Sequence, residues 1–370
     1  MDKQYSLINL SNSLLKHFGV DTFHDSIPEV DEALKGHKKV VAVLFDGMGQ
    51  NIIHKHLKEN SFIRKHYFTT IDSTFPPTTA AATTSFLTGK YPIETGWLSW
   101  DMYFKDLDRN IILFKNKDFN TGEKLPLING KTIANTYYPT NTILELIKNK
   151  NKDVSTFCVQ RYPIQEDGPK SLLFTAVRKI SKILKNNDKL LGYFYWDSPD
   201  AEMHRYGIDN FRVHYQVRKA ERFIKKISRK NKDTVFILLA DHGHINYKQF
   251  DICEHEDLYS LVVKPLSMEK RSACIFVKEG KQEQFKTLFN KYYGDYFDLY
   301  TKKDALDSNL FGEGEPCKGV LDAIGDFIAV ARKEYGLFAS KEFDHIHSYK
   351  GHHGGGTKEE RLIDISIFNK

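Results

Sequence analysis

The sequence is poor in cysteine. Its four thiols, Cys158, Cys253, Cys274 and Cys317, lie far apart with no C-x-x-C spacing, which argues against a disulfide framework and fits reduced thiols in the cytosol. Long apolar runs are missing as well, none approaching the roughly 20 residues that cross a bilayer. The opening "MDKQYSLINLSNSLLKHFGV" lacks a basic start, an unbroken apolar core and a small-residue cleavage site, so it does not read as a secretory signal. Repeats, low-complexity tracts and flexible linkers are also absent, and one continuous domain over residues 1–370 is expected. Single-sign charge is scarce: 54 basic against 48 acidic residues leave a net +6. The lysines sit in scattered stretches such as "KNKNK" and "ERFIKKISRKNK", which suit the outer faces of helices, so no polymeric nucleic acid partner is expected.

What is present reads as an α/β protein long enough to bury an ample core. "KKVVAVLFDGMGQNIIHKHL" runs from a charged flank into an apolar strand, Val40 to Phe45, then Asp46-Gly47, then a helical pattern. An apolar run without alternation suits a strand buried on both faces of a parallel sheet. The same construction recurs in "KLLGYFYWDSPDAEMH" and "TVFILLADHGH", and the amphipathic "FRVHYQVRKAERFIKKISRK" between them suits a crossover helix. From about Ser272 to Gly312 the pattern changes to a strand, an amphipathic helix and short elements, as expected of a small inserted α+β subdomain at 272–312.

Groups of metal-ligand type gather at the ends of these apolar strands, where open α/β sheets place their sites. Asp46 follows "VAVLF", and "DAEMH" spaces Asp200 and His204 by one helical turn. "ADHGH" supplies Asp241 and His242, and "KGHHGGG" supplies His352 and His353. Together they suffice for two metal ions. No thiol joins them, so a nitrogen and oxygen donor set favours zinc, with manganese or iron as alternatives. Two cations bridged by a substrate oxygen would stabilise both the entering and the leaving oxygen of a displacement at phosphorus.

That reaction needs a nucleophile, and "STFPPTTAAATTSFLTG" (Ser73 to Gly89) holds six threonines and two serines around a Pro-Pro pair and an alanine run. A threonine in the first turn of a helix meets unpaired N–H groups and the positive end of the helix dipole, which attract phosphate. A cation on its oxygen would supply an alkoxide near neutral pH. The other reading is that Thr78 or Thr79 only caps the helix.

In order, "LFDGMGQNII", "FPPTTAAATTSFLTGKYPIETG", "DSPDAEMHRYG", "LLADHGH" and "GHHGGGTKEERLIDI" resemble the alkaline phosphatase superfamily, nearest its nucleotide pyrophosphatase/phosphodiesterase branch. The resemblance runs from Asp46 to the C-terminal region. It implies a three-layer α/β/α sandwich with a largely parallel central sheet, and it puts the nucleophile on Thr79. One metal site would be Asp200, His204 and His353; the other would be Asp46, Asp241 and His242, completed by Thr79. The implied chemistry is attack by Thr79, a phosphothreonine intermediate, then hydroxide attack from the vacated side, with net retention. The substrate would be a small phosphate ester, possibly a nucleotide. Tyr195 matches the position where relatives stack a base. Two departures bear on the substrate: Ala80 follows Thr79 where nucleotide-cleaving members carry an aromatic residue, and the place of a phosphate-binding asparagine falls on Trp100 or Asp101.

A phosphomonoesterase or phosphonate hydrolase would use the same metals and nucleophile with extra positive charge for a dianionic phosphate. A non-catalytic metal-stabilised binding protein is the alternative of another class. No C/S-x-P-x-R context marks a sulfatase, and the chain is too short for the inserted domain of a cofactor-independent phosphoglycerate mutase.

Overall fold

A computed structural model describes residues 5–160, 173–342 and 349–369. The strands that build its two larger sheets are β1 (Lys39–Phe45), β2 (Tyr67–Asp72), β3 (Ser155–Val159), β4 (Leu190–Trp196), β5 (Val235–Leu239), β6 (Ser267–Glu269), β7 (Ser272–Ile275), β8 (Phe297–Thr301), β9 (Phe327–Ala331) and β10 (Leu362–Phe368). Every residue of β1 and β5 is buried, as an unbroken apolar run requires when both faces of a strand are covered. Phe45 of β1 stands opposite Trp196 of β4, and Leu44 opposite Leu239 of β5, both pairings parallel. The central sheet has the order β2-β10-β5-β1-β4-β3, and β10 is its antiparallel member.

The helices that position the site are α1 (Leu7–His17), α2 (Gln50–His56), α3 (Thr79–Thr88), α4 (Leu173–Lys185), α5 (Asp200–Tyr206), α6 (Phe211–Lys230) and α7 (Gln282–Tyr293). Adjacent residues of β4 show that helices cover both faces of the sheet, because successive side chains of a strand point to opposite sides. Tyr193 meets Phe86 of α3 with ring centroids 5.8 Å apart, whereas Phe194 stacks on Phe223 of α6 at 5.0 Å. The result is the expected three-layer α/β/α sandwich with a largely parallel sheet.

The hydroxyl and alanine content of α3 has a packing basis. Ala80, Ala81, Ala82, Thr83 and Ser85 are all buried, and small side chains let α1 approach closely. Ser11 of α1 donates to the Phe86 carbonyl, and Asn12 donates to the Gly89 carbonyl at 2.9 Å.

Strands β6, β7, β9 and β8 form a second, antiparallel sheet in that order. Residues 272–312 contribute β7, α7 and β8 to it, and the flanking β6 and β9 complete it. Phe285 and Phe289 of α7 pack on Phe327 and Phe297 of this sheet.

Arg271, between β6 and β7, is wholly buried. Its guanidinium grips the Glu360 carboxylate with two bonds of 2.6 and 2.8 Å and also donates to the carbonyls of Lys333 and Tyr335. Glu360 in turn accepts from the Gly355 N–H at 2.8 Å and the Thr357 hydroxyl at 2.7 Å. This pair ties the second sheet to the glycine loop that follows His353. Against the opposing effect of burial, Arg271 holds the Glu360 carboxyl below its ordinary value. Removing one partner strands the other charge, so Arg271→Ala should lose about 3–5 kcal/mol of unfolding free energy in urea titration. A loss under about 1 kcal/mol would contradict this clamp.

Candidate metal centre

Three neighbouring parallel strands, in the order β5-β1-β4, end side by side. Asp46 follows β1, Asp241 and His242 follow β5, and Asp200 opens α5 four residues beyond β4. The Asp200 N–H donates to the Asp46 carbonyl at 3.1 Å. Asp241 Oδ1 accepts from the N–H groups of Gly47 and His242 at 2.9 and 3.0 Å. His353 enters from the glycine loop, where Gly354 adopts φ 97° and a Cβ would press on Glu269 Cβ at 2.8 Å, so only glycine fits this turn.

The structure brings Asp46, Thr79, Asp200, His204, Asp241, His242 and His353 into one cluster, buried except for Asp200 and His204, which are half-buried at its open side. Thr79 Oγ1 lies 3.4 Å from each Asp46 carboxylate oxygen and 3.3 Å from His242 Nε2. His242 Nε2 is 3.4 Å from Asp46 Oδ1 and 3.6 Å from Asp241 Oδ2. Around Asp200 Oδ1 stand His204 Nε2 at 3.4 Å and His353 Nε2 at 3.7 Å. The rings of His242 and His353 stack with centroids 3.7 Å apart, so the two groups adjoin.

These separations are long for hydrogen bonds but suit ligands of a shared ion. Donors about 2.0–2.1 Å from one zinc at tetrahedral angles stand about 3.3–3.4 Å from one another. Histidine orientation agrees: Nδ1 of His204, His242 and His353 lies 2.9–3.0 Å from the carbonyls of Gly351, Gly243 and Pro77 respectively. Nδ1–H donated to a carbonyl turns the Nε2 lone pair inward, the usual outer support of a metal-binding imidazole. Asp200 Oδ1 and Asp241 Oδ2 are buried without a hydrogen-bond partner among the described residues, as a cation-binding carboxylate would be before its ion is counted. The donor set therefore fits divalent cations.

Electrostatics point the same way. Burial, then the Asp241 and Asp200 carboxylates, push Asp46 well above its ordinary value. Burial takes the His204 imidazole down to about 4, and burial with neighbouring imidazoles takes His353 well below its usual range. Neutral imidazoles keep the lone pair a metal needs, and positive charge between the carboxylates would relieve their crowding.

Thr78 and Thr79 have different surroundings. Thr78 occupies the N-cap position of α3, yet its hydroxyl does not cap; it donates to Glu269 Oε1 at 2.6 Å. Thr79 is the first helical residue, and its hydroxyl turns to Asp46 and His242. Tyr195, expected to stack a base, is buried under the centre, with its hydroxyl donated to Asp46 Oδ2. Its strand is covered on both faces, which leaves no open ring face there. Trp100 is half-buried, its backbone N–H donated to Glu269 Oε1 at 3.3 Å and its ring under the Lys115 ammonium. Asp101 is buried in a short strand opposite Ile112.

Two residues near the centre escaped sequence reasoning, His244 and Glu269, and His352, a candidate that the resemblance set aside in favour of His353, lies beside them. His244 joins Asp200, His204 and His353 within 4.8 Å, while Glu269 and His352 gather with His353 in a second group. "ADHGH" shows His244 in plain view, and "GHHGGG" shows His352, but no motif marks Glu269 on β6. Burial, opposed by the donors from Thr78, Trp100 and Ser99, brings the Glu269 carboxyl up to about 7.

No curated protein sequence matches this chain. Among solved structures it is similar to murine ectonucleotide pyrophosphatase/phosphodiesterase 5, with a TM-score of 0.66 and 18% identity over 90% of this chain and 88% of that one. An inactive threonine-to-alanine variant of the murine protein, in complex with AMP, matches at a TM-score of 0.65 and 18% identity over 89% and 87% of the two chains. The human counterpart matches at a TM-score of 0.65 and 17% identity over 90% and 88%. These likenesses show the fold. The model of the type I phosphodiesterase / nucleotide pyrophosphatase family matches residues 40–356, and the chain accordingly belongs to that family and is a phosphoric ester hydrolase of its type.

Proposed function

We propose that this chain hydrolyses a small phosphodiester or nucleotide pyrophosphate bond with Thr79 as nucleophile at a two-metal centre. The observation that carries the reading is the placement of Thr79 Oγ1, at the first residue of α3 and within 3.4 Å of Asp46 and His242. Two divalent cations, zinc first for this donor set and manganese or iron next, would supply positive charge at the attacking and leaving oxygens and acidify the threonine hydroxyl. Asp46, Asp241 and His242 would hold one, with Thr79; Asp200, His204 and His353 would hold the other.

The protein's own groups set the geometry. Tyr195 fixes the Asp46 carboxylate from below, and the carbonyls of Gly243, Gly351 and Pro77 fix the imidazole rings. First-turn N–H groups of α3 have no partner inside the helix and offer donors to a phosphate oxygen. Thr79 attacks phosphorus as the bond to the leaving oxygen breaks, giving a phosphothreonine. Water then attacks from the opposite side, freeing Thr79 and the phosphorylated product. The inactive threonine-to-alanine variant of the murine structure and its bound AMP support a threonine nucleophile and a nucleotide substrate here. Trp100, whose backbone N–H reaches Glu269 Oε1, is the aromatic residue we assign to substrate binding. Four free cysteines support a reducing compartment, and no described helix is long and apolar enough to cross a membrane.

A phosphomonoesterase or phosphonate hydrolase is the second reading, and Lys270 favours it. Its ammonium lies 5.3 Å from the ring centroid of Tyr349, which packs on His204 at 4.9 Å, so a cation stands one residue behind the His204 side of the centre.

Thr79→Ala should keep its bound metal and lose at least about a thousandfold in kcat, while Thr78→Ala keeps most of it; metal analysis beside turnover of a diester checks both. Wild-type rates in Thr79→Ala would contradict the assignment. Bis-(p-nitrophenyl) phosphate should be cleaved faster than p-nitrophenyl phosphate, and the reverse order would select the second reading.

A further inference from the structure

His244 lies outside the donor set assigned above, yet its surroundings are those of a ligand. The side chain is wholly buried. Its Nδ1 lies 3.3 Å from the Ile245 carbonyl, and with the proton on that nitrogen the Nε2 lone pair turns inward. Nε2 has no hydrogen-bond partner among the described residues. It stands 3.4 Å from Asp200 Oδ1, the separation His204 Nε2 makes to the same oxygen. That oxygen is itself unpartnered. Two lone pairs facing each other at this distance in a dry site repel, and a buried polar atom left alone is costly. A cation between them turns that repulsion into two bonds.

The chain makes room for this ring. A Cβ at Gly351 would stand 2.9 Å from His244 Cε1 and 3.0 Å from its Nδ1, closer than real side chains allow. The ring meets His204 edge-on with centroids 4.7 Å apart and His353 at 5.4 Å, so three imidazoles converge on one carboxylate oxygen from different directions. Donor atoms of Asp200, His204, His244 and His353 all lie within 4.8 Å of one another.

We propose that His244 is a fourth protein ligand of the ion held by Asp200, His204 and His353. The inference rests on the two-metal reading above. Four protein donors close a tetrahedron, as in sites that retain their metal, whereas three leave a position open. An ion in this cage would therefore be the last to leave under a chelator.

Competition between the apoprotein and a chromophoric chelator for Zn2+ tests this in wild type, His244→Ala and His244→Leu. Wild type should bind two ions, one markedly tighter. Both variants should retain one ion at its original affinity and bind the other at least about 10–100-fold more weakly. X-ray absorption on wild-type protein carrying one equivalent of zinc reads the same question without a variant: three imidazoles support the proposal and two overturn it. Variants that bind both ions as tightly as wild type also overturn it and leave the two-metal reading intact. Wild-type protein that binds no ion overturns both.

Discussion

Uncompensated charge in a dry place is the constraint on which the site depends. Asp46 and Asp241 are buried with His242, His244 and His353, and the half-buried Asp200 and His204 complete the convergence. Without positive charge, one carboxylate resists ionisation and several acceptor atoms face each other with nothing to accept. Divalent cations would resolve these conflicts together. Separations near 3.4 Å are those expected of donors that share one ion.

The fold produces this convergence by simple means. Three adjacent parallel strands end together, and a loop from the far end of the sequence closes over them. Each ligand is then fixed by its own chain: Gly47 and His242 N–H groups on Asp241, Tyr195 on Asp46, and backbone carbonyls behind the histidine rings. The Arg271–Glu360 pair holds the glycine loop against the second sheet, so the position of His353 depends on packing well outside the centre.

Much of this was legible in the sequence because strands buried on both faces leave unbroken apolar runs, and although one acidic residue after such a run reads equally as a helix cap, acids and imidazoles recurring after three of them read as a constellation. Asp46, Asp200, Asp241 and His242 follow from that pattern. Distinguishing Thr78 from Thr79 was not open to local reasoning, since the capping role that Thr78 could play is set aside only by Glu269, 191 residues away. Glu269 was invisible for the same reason: nothing in "PLSMEKRSA" says that β6 will lean over the centre. Tyr195 shows the opposite difficulty. An aromatic residue at a strand end reads alike whether its ring faces a ligand or its hydroxyl holds a carboxylate.

The most direct test of the central claim is a crystal structure of metal-loaded protein with anomalous scattering at the metal edge. Two peaks only a few ångströms apart, one between Asp46, Asp241 and His242 with Thr79 Oγ1 facing it, the other between Asp200, His204 and His353, are what this account requires. A fully loaded crystal with no peak beside Thr79, or with its metals bound elsewhere, would contradict it.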